Sequence, residues 1–517
     1  MSRFRRVIHS VASGYFVIGT TAVYSLASVP LALKYLSKAD FALWALMSSI
    51  SGYLALIDLG MSGSVARLLI DYKDKRADGV YGSLIKTGWC VLVTQGVFIW
   101  MIGFGFAPVL ASLLDIPSEV REGFVTLMRW QSSLLALSFA SKIFGHLLTA
   151  HQRIDLINYG QVAGIVVGYF SLWFFFSHGH GVYSWIWASF VTLFTNVICT
   201  LPACFKMNVF PPAGQWGRAR WYYFRELFGY GKDLFLVAVG TQMIVASQTM
   251  IITRTLGLEA AAAWSVGTKM FNLLTQLIYR IFDVSCPALS EMQSRNETSL
   301  LQARYKAIVI LSASFSALVA VIYVVCNSSF VTVWSHGKFI WPTTNDLLLA
   351  SWMVVMAVLH CHNCFVLVLK DVRFMRYIYF IEGIVFVATS LFLAKHWGLP
   401  AIIGCSVVCS ALLSGAYGIR RVSEYFQLPV REVALRWMYP MLKVLALFVP
   451  IAAITYWSLQ NASPEWRLVS GCLICAPLGM YLFLRFGISD NFQKELMARA
   501  PKQINPFLRR VFVVGSP

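Results

Sequence analysis

The sequence predicts an all-α polytopic membrane protein of about fourteen transmembrane helices. Three observations predict it. The 517 residues are 58% hydrophobic and only 13% charged, whereas soluble domains are about a quarter charged. Apolar runs of about 20 residues or more, each able to cross a hydrocarbon core roughly 30 Å thick, recur almost end to end. The basic residues behind the net charge of +19 gather in short clusters between those runs rather than on one face. That pattern marks them as topology signals and argues against nucleic acid as a partner.

Taken in order, the apolar runs lie at about 8–33, 40–70, 82–114, 120–149, 154–176, 182–205, 228–253, 259–290, 304–334, 341–369, 374–394, 398–419, 438–459 and 466–485. Arg3, Arg5 and Arg6 precede the first, whose apolar stretch to Leu33 exceeds the roughly 7–15 residues of a signal-peptide core, so an uncleaved span is expected. With the N-terminus in the cytoplasm, about 32 Lys and Arg residues fall on the cytoplasmic side and about 8 on the other. The cytoplasmic clusters are Lys73, Lys75 and Arg76; Arg218, Arg220 and Arg225; Lys370, Arg373 and Arg376; Arg420 and Arg421; and Arg509 and Arg510 in the tail. Both termini are expected in the cytoplasm. The 11 cysteines lie almost entirely inside apolar runs, where they read as small packing residues rather than a disulfide framework.

The longest cytoplasmic connection, 206–227, carries Pro211 and Pro212 and follows the sixth span. It is the expected seam between an N-terminal lobe (1–205) and a C-terminal lobe (228–425), followed by an extra helix pair (426–487) and a basic tail (488–517). A weak internal echo supports two halves: the stretches from Lys34 to Trp44 and from Arg254 to Trp264 each join the first and second spans of a half. Repeated halves are characteristic of transporters.

Span two carries Tyr53-Leu-Ala-Leu-Ile-Asp58-Leu-Gly60 with Arg67, and ends in Tyr72-Lys-Asp-Lys75. The second half carries Trp264-Ser-Val-Gly-Thr-Lys269, and Cys286-Pro-Ala-Leu-Ser-Glu291 closes span eight. In these stretches and in the order of its spans the chain resembles the polysaccharide (O-antigen type) flippase branch of the multidrug/oligosaccharidyl-lipid/polysaccharide exporter superfamily, over about residues 10–425. The resemblance implies two six-helix lobes in a V around a central cavity, lined largely by the first two helices of each half, with two further C-terminal helices. It also implies an undecaprenyl-diphosphate-linked oligosaccharide as substrate.

Ionisable groups at mid-bilayer cost roughly 2.5–3.5 kcal/mol on insertion scales, so each needs a partner, a wet cavity or a task. Span eight is the richest. Lys269, Asn272, Gln276, Arg280 and Asp283 follow steps of three and four, which places them on one helical face that lipid cannot satisfy. Lys269 and Arg280 suit a diphosphate and the amides suit sugar hydroxyls; the alternative is an internal Arg280–Asp283 bridge. In span two, Asp58 either takes up a proton or counter-ion or shapes a bend beside Gly60 and Gly63. Arg67 either meets the diphosphate or snorkels to the interface. In span four, Lys142, one turn from His146, is a cavity candidate or a snorkelling anchor.

His360 in span ten and Glu382 in span eleven lie at similar depth on either side of a short cytoplasmic turn, so they are expected to form a buried acid–imidazole pair, either a proton carrier or a static hydrogen bond. The run His360-Cys-His-Asn-Cys364 offers metal-ligand types, but on a helix they point in several directions, and no metal or other cofactor is expected.

No Gly-rich, Lys-containing nucleotide loop is present, so transport energy is expected from H+ or Na+, the membrane potential or downstream consumption. The expected function is a flippase, not an enzyme, in the bacterial inner membrane, working on a lipid-linked oligosaccharide for surface polysaccharide (O-antigen, lipopolysaccharide or exopolysaccharide) assembly, with membrane lipid and the polysaccharide polymerase machinery as partners. A multidrug or organic-cation antiporter is the alternative, although such proteins favour buried carboxylates where this lining is net basic. A membrane glycosyltransferase or ligase is disfavoured by the short periplasmic loops near 116–122 and 335–346.

Overall fold

A computed structural model describes residues 3–72, 79–151, 153–369, 374–489, 492–494, 497 and 512. The basic residues Lys73, Lys75, Arg76, Lys370, Arg373, Arg509 and Arg510, and most of the tail, lie outside the described residues. Among the described residues every regular element is a helix, as a bilayer requires when each backbone N–H and C=O must be paired within its own segment.

Contacts divide the chain into two compact units, 1–262 and 263–517. The first unit contains α1 (Arg3–Tyr35), α2 (Lys38–Leu54), α3 (Met61–Tyr72), α4 (Val80–Leu113), α5 (Ser118–Ala150), α6 (Ile154–Ser177), α7 (Tyr183–Lys206), α8 (Trp221–Val245) and α9 (Ser247–Leu256). The boundary falls inside α10 (Leu258–Gly267), two helices beyond the connection at 206–227. The second unit contains α11 (Lys269–Ser294), α12 (Thr298–Trp334), α13 (Thr343–Val368), α14 (Met375–Ser410), α15 (Ala416–Phe426), α16 (Val430–Ala434), α17 (Tyr439–Ser458) and α18 (Pro464–Phe486).

Twelve helical segments among the described residues are long and apolar enough to cross a membrane. They differ from the fourteen predicted runs at two places. The runs at 374–394 and 398–419 form one continuous stretch, Met375–Phe426, interrupted only at Gly398 (φ 64°, ψ −146°) ahead of Pro400 and by a π-helical turn at Ala411–Gly415. The run at 259–290 becomes α10, which at ten residues is too short to cross, and α11, which carries the polar stripe and is not apolar enough.

Small residues set the spacing of the first unit, since helices that gain nothing from hiding apolar surface in lipid associate by close backbone approach. Gly160, Gly164 and Gly168 form a stripe on α6, and a Cβ at any of them would meet Cys199 or Thr192 of α7. Below this hairpin, α3, α4, α5 and α8 enclose a core of Val65, Leu68, Leu84, Leu92, Leu147 and Leu227. In the second unit α12 is central. It buries Tyr305 with Phe282, Phe365 and Trp437 toward one end and Leu318 with Phe448 and Phe483 toward the other.

The connection between α7 and α8 is docked rather than loose. A Cβ on Gly82 of α4 would lie 2.6 Å from the Gln215 carbonyl oxygen and the Trp216 backbone. Lys86 Nζ donates to the Gly217 carbonyl at 3.0 Å, and the Arg220 amide donates to Thr87 Oγ1 at 3.1 Å. Gly82→Val is expected to lift this segment, because forcing a side chain into a filled contact costs about 1–3 kcal/mol. Trypsin cleavage after Arg218 and Arg220 should then rise about fivefold to a hundredfold; an unchanged rate would show that the docking does not protect the segment.

Candidate functional site

Each unit holds a polar cluster inside its helices. In the first, the predicted span two is broken. Residues Ala55–Asp58 form a 3-10 turn, and Leu59 (φ 49°) with Gly60 (φ 72°) redirects the chain into α3. Such a break frees carbonyls and amides that lipid cannot satisfy. Gln95, buried on α4, donates from Nε2 to the Ile57 and Asp58 carbonyls at 2.9 and 2.8 Å. The Asp58 carboxylate accepts from the Ser62 amide at 3.3 Å and from the Ser62 hydroxyl, at the N-terminus of α3 where the helix dipole favours an anion.

Lys142 Nζ reaches Asp58 Oδ1 at 3.8 Å and lies 3.5 Å from the Phe139 ring centroid, so the lysine predicted as a cavity cation is tied to the acid at the break. His146 follows one turn later on the same helix. Arg67 is exposed on α3.

In the second unit the polar stripe of α11 is real. Asn272, Gln276, Arg280 and Asp283 are exposed, and Lys269 is half-buried at the start of the helix. Arg280 makes no ion pair among the described residues, so the Arg280–Asp283 bridge considered as an alternative does not form. Asp283 instead bonds His360 on α13, Oδ1 to Nε2 at 3.1 Å, and the Tyr279 ring stacks on the imidazole at 3.9 Å with an interplanar angle of 4°.

The expected pairing of His360 with Glu382 is therefore corrected. Glu382 is buried and accepts from Ser410 Oγ at 2.7 Å and from the Ser414 amide at 3.1 Å, steadying the π-helical turn. Depth along two helices was readable from their distance to the turn; the rotation of each helix about its axis was not. His360 faces α11, and Glu382 faces the Ala411–Gly415 turn.

The neighbours of His360 diverge as helical geometry requires. His362 is buried and shares a 2.6 Å hydrogen bond with Tyr305 Oη, Cys361 lies in the core, and Cys364 Sγ sits 3.6 Å from His360. Sequence reasoning missed Asp346, placed in a predicted periplasmic loop. It is fully buried at the start of α13 and accepts from Asn327 Nδ2 (2.7 Å), Ser328 Oγ (2.6 Å) and Trp341 Nε1 (2.7 Å). It also missed Gln95, whose only signal was an isolated amide within an apolar run.

This order of helices is the fold of the MOP transporter superfamily. An inward closed structure of the lipid II flippase MurJ matches with TM-score 0.68 and 11% identity, covering 95% of this chain and 100% of that one. An inward-facing multidrug resistance MATE transporter matches with TM-score 0.67 and 11% identity, covering 79% and 96%. A MOP superfamily transporter from Pyrococcus furiosus, described as having a binding pocket of reverse polarity, matches with TM-score 0.56 and 12% identity, covering 82% and 96%. At such identities the likeness is one of fold. The chain belongs to the polysaccharide biosynthesis protein family, whose sequence profile matches residues 33–338. Comparison with curated proteins finds no match.

Proposed function

We propose that the protein is a flippase that carries an undecaprenyl-diphosphate-linked oligosaccharide from the cytoplasmic to the periplasmic leaflet of the bacterial inner membrane by alternating access, for surface polysaccharide assembly. Membership of the polysaccharide biosynthesis family and the MOP fold support this reading. The observation that carries it is α11, a helix among membrane spans whose exposed face is built from Asn272, Gln276, Arg280 and Asp283, with Lys269 at its start. Arg280 and Lys269 hold the diphosphate, the two amides take sugar hydroxyls, and the prenyl chain stays in lipid. Arg67 and Lys142 of the first unit offer the same chemistry, Lys142 once released from Asp58.

Counting Met375–Phe426 as two crossings divided at Gly398, and α10 with α11 as one, raises the twelve apolar segments to fourteen, an even number that keeps both termini on one side, the cytoplasmic one by the bias of Lys and Arg. An H+ or Na+ gradient, the membrane potential or downstream consumption drives the cycle, and the polymerase machinery receives the product.

Expression in a strain lacking its own polysaccharide flippase tests the reading. Restored surface glycan is the expected result. Export of cationic dyes without restored glycan would replace it with drug antiport on the same scaffold.

A further inference from the structure

The second unit also gathers three metal-ligand types that the diphosphate chemistry does not use: Asp283 on α11 and His360 with Cys364 on α13. His360 and Cys364 are four residues apart, the spacing that places two ligands one above the other on a helix face. Their ligand atoms and that of Asp283 all lie within 4.8 Å of one another. Nε2 of His360 is 3.1 Å from Asp283 Oδ1, and Cys364 Sγ is 3.6 Å from each ring nitrogen. A tetrahedral ion with bonds of about 2.0–2.3 Å separates its ligands by roughly 3.3–3.8 Å, so small side-chain rotations close the set.

We propose that Asp283, His360 and Cys364 form a binding site for a divalent transition metal of the zinc type. The donor chemistry selects the ion, because imidazole and thiolate favour zinc or its neighbours over magnesium, calcium or sodium, which take oxygen. Charge selects it too. Coordination displaces the thiol proton of Cys364 to solvent, and a dication, one carboxylate, one thiolate and a neutral imidazole sum to zero, the charge a membrane interior tolerates best.

The site is pre-oriented, since Tyr279 stacked flat on His360 fixes the ring plane. Three protein ligands leave a fourth position open to water. The bound ion would link α11 to α13 and so fix the helix that carries the polar stripe. The proposal does not depend on what the protein transports.

Cobalt(II) titration of the chelator-treated full-length protein in detergent is the test. The expected result is a thiolate-to-cobalt charge-transfer absorption that saturates with one ion per chain. It should vanish in Cys364→Ser, persist in Cys361→Ser, and require at least about 10- to 100-fold more cobalt in Asp283→Asn, a loss already typical of mere outer-shell partners. Zinc protection of Cys364 from maleimide, read by mass spectrometry on the wild type, gives the answer without a substitution. No absorption and no protection, or an absorption that survives Cys364→Ser, would overturn the proposal.

Discussion

Replacing Lys269 and Arg280 together with alanine is expected to abolish restoration of surface glycan while leaving the protein in the membrane at wild-type level. A charge-assisted hydrogen bond is worth about 1.5–3 kcal/mol, so losing either cation should lower transport about 10- to 100-fold, and losing both more than about a hundredfold. Folding should be spared. Arg280 is exposed and makes no ion pair among the described residues, so its removal strands no buried partner. Lys269→Arg should retain most activity, because a second cationic donor still meets phosphate, whereas Asn272→Ala removes one neutral bond and should cost less than about tenfold. Quantifying surface glycan at matched membrane levels checks every one of these variants. Full activity in the double variant would remove the α11 face from the substrate path.

Asp346→Leu is expected to be the most destabilising single change, for reasons of folding rather than transport. Oδ1 accepts from both Asn327 and Trp341, and Oδ2 from Ser328. Asn327 also donates to the Gly267 carbonyl at 3.1 Å, and a Cβ on Gly267 would strike the Trp341 ring, so one carboxylate ties α10, α12, α13 and the turn before α13 together. Removing it takes the acceptor from the buried Trp341 indole and the shortest bond from each of Asn327 and Ser328, which keep longer ones to the Gly267 carbonyl and Thr343. A hydrogen bond to a charged group is worth about 1.5–3 kcal/mol and a buried donor left unpaired costs about 1–3 kcal/mol, so losing this set takes a large part of a typical folding stability. Monodisperse protein recovered from membranes should fall about tenfold or more. Asp346→Asn should be intermediate, since its oxygen can keep both Oδ1 bonds while its amide donates to the Ser328 hydroxyl. Equal yields of the leucine variant and wild type would contradict this role.

The sequence carried the helical class and the polar stripe because both are periodic. Apolar run length reports membrane crossing directly, and steps of three and four from Lys269 to Asp283 report a face. What failed to read out depends on pairing between segments. Asp58 was legible as a residue near a bend, but the 3-10 break and its cover by Gln95 require knowing which side of α4 meets it. His360 and Glu382 share a depth yet face different helices, and the third metal-ligand type, Asp283, lies 77 residues before His360. Asp346 sits in a polar stretch after Pro342 that resembles a loop until Trp341 and Asn327 fold over it. The docking of 207–220 rests on Gly82, a residue with no side chain to leave a pattern.

The most direct measurement is translocation in proteoliposomes carrying a fluorescent undecaprenyl-diphosphate oligosaccharide, with the outward-facing label quenched and the protected fraction followed in time. Wild-type protein is expected to collapse the protected fraction well above the rate of protein-free vesicles, and the Lys269→Ala, Arg280→Ala double variant to return it to that background. Wild-type rates no faster than empty vesicles, with cationic dye moved by the same vesicles, would contradict the flippase.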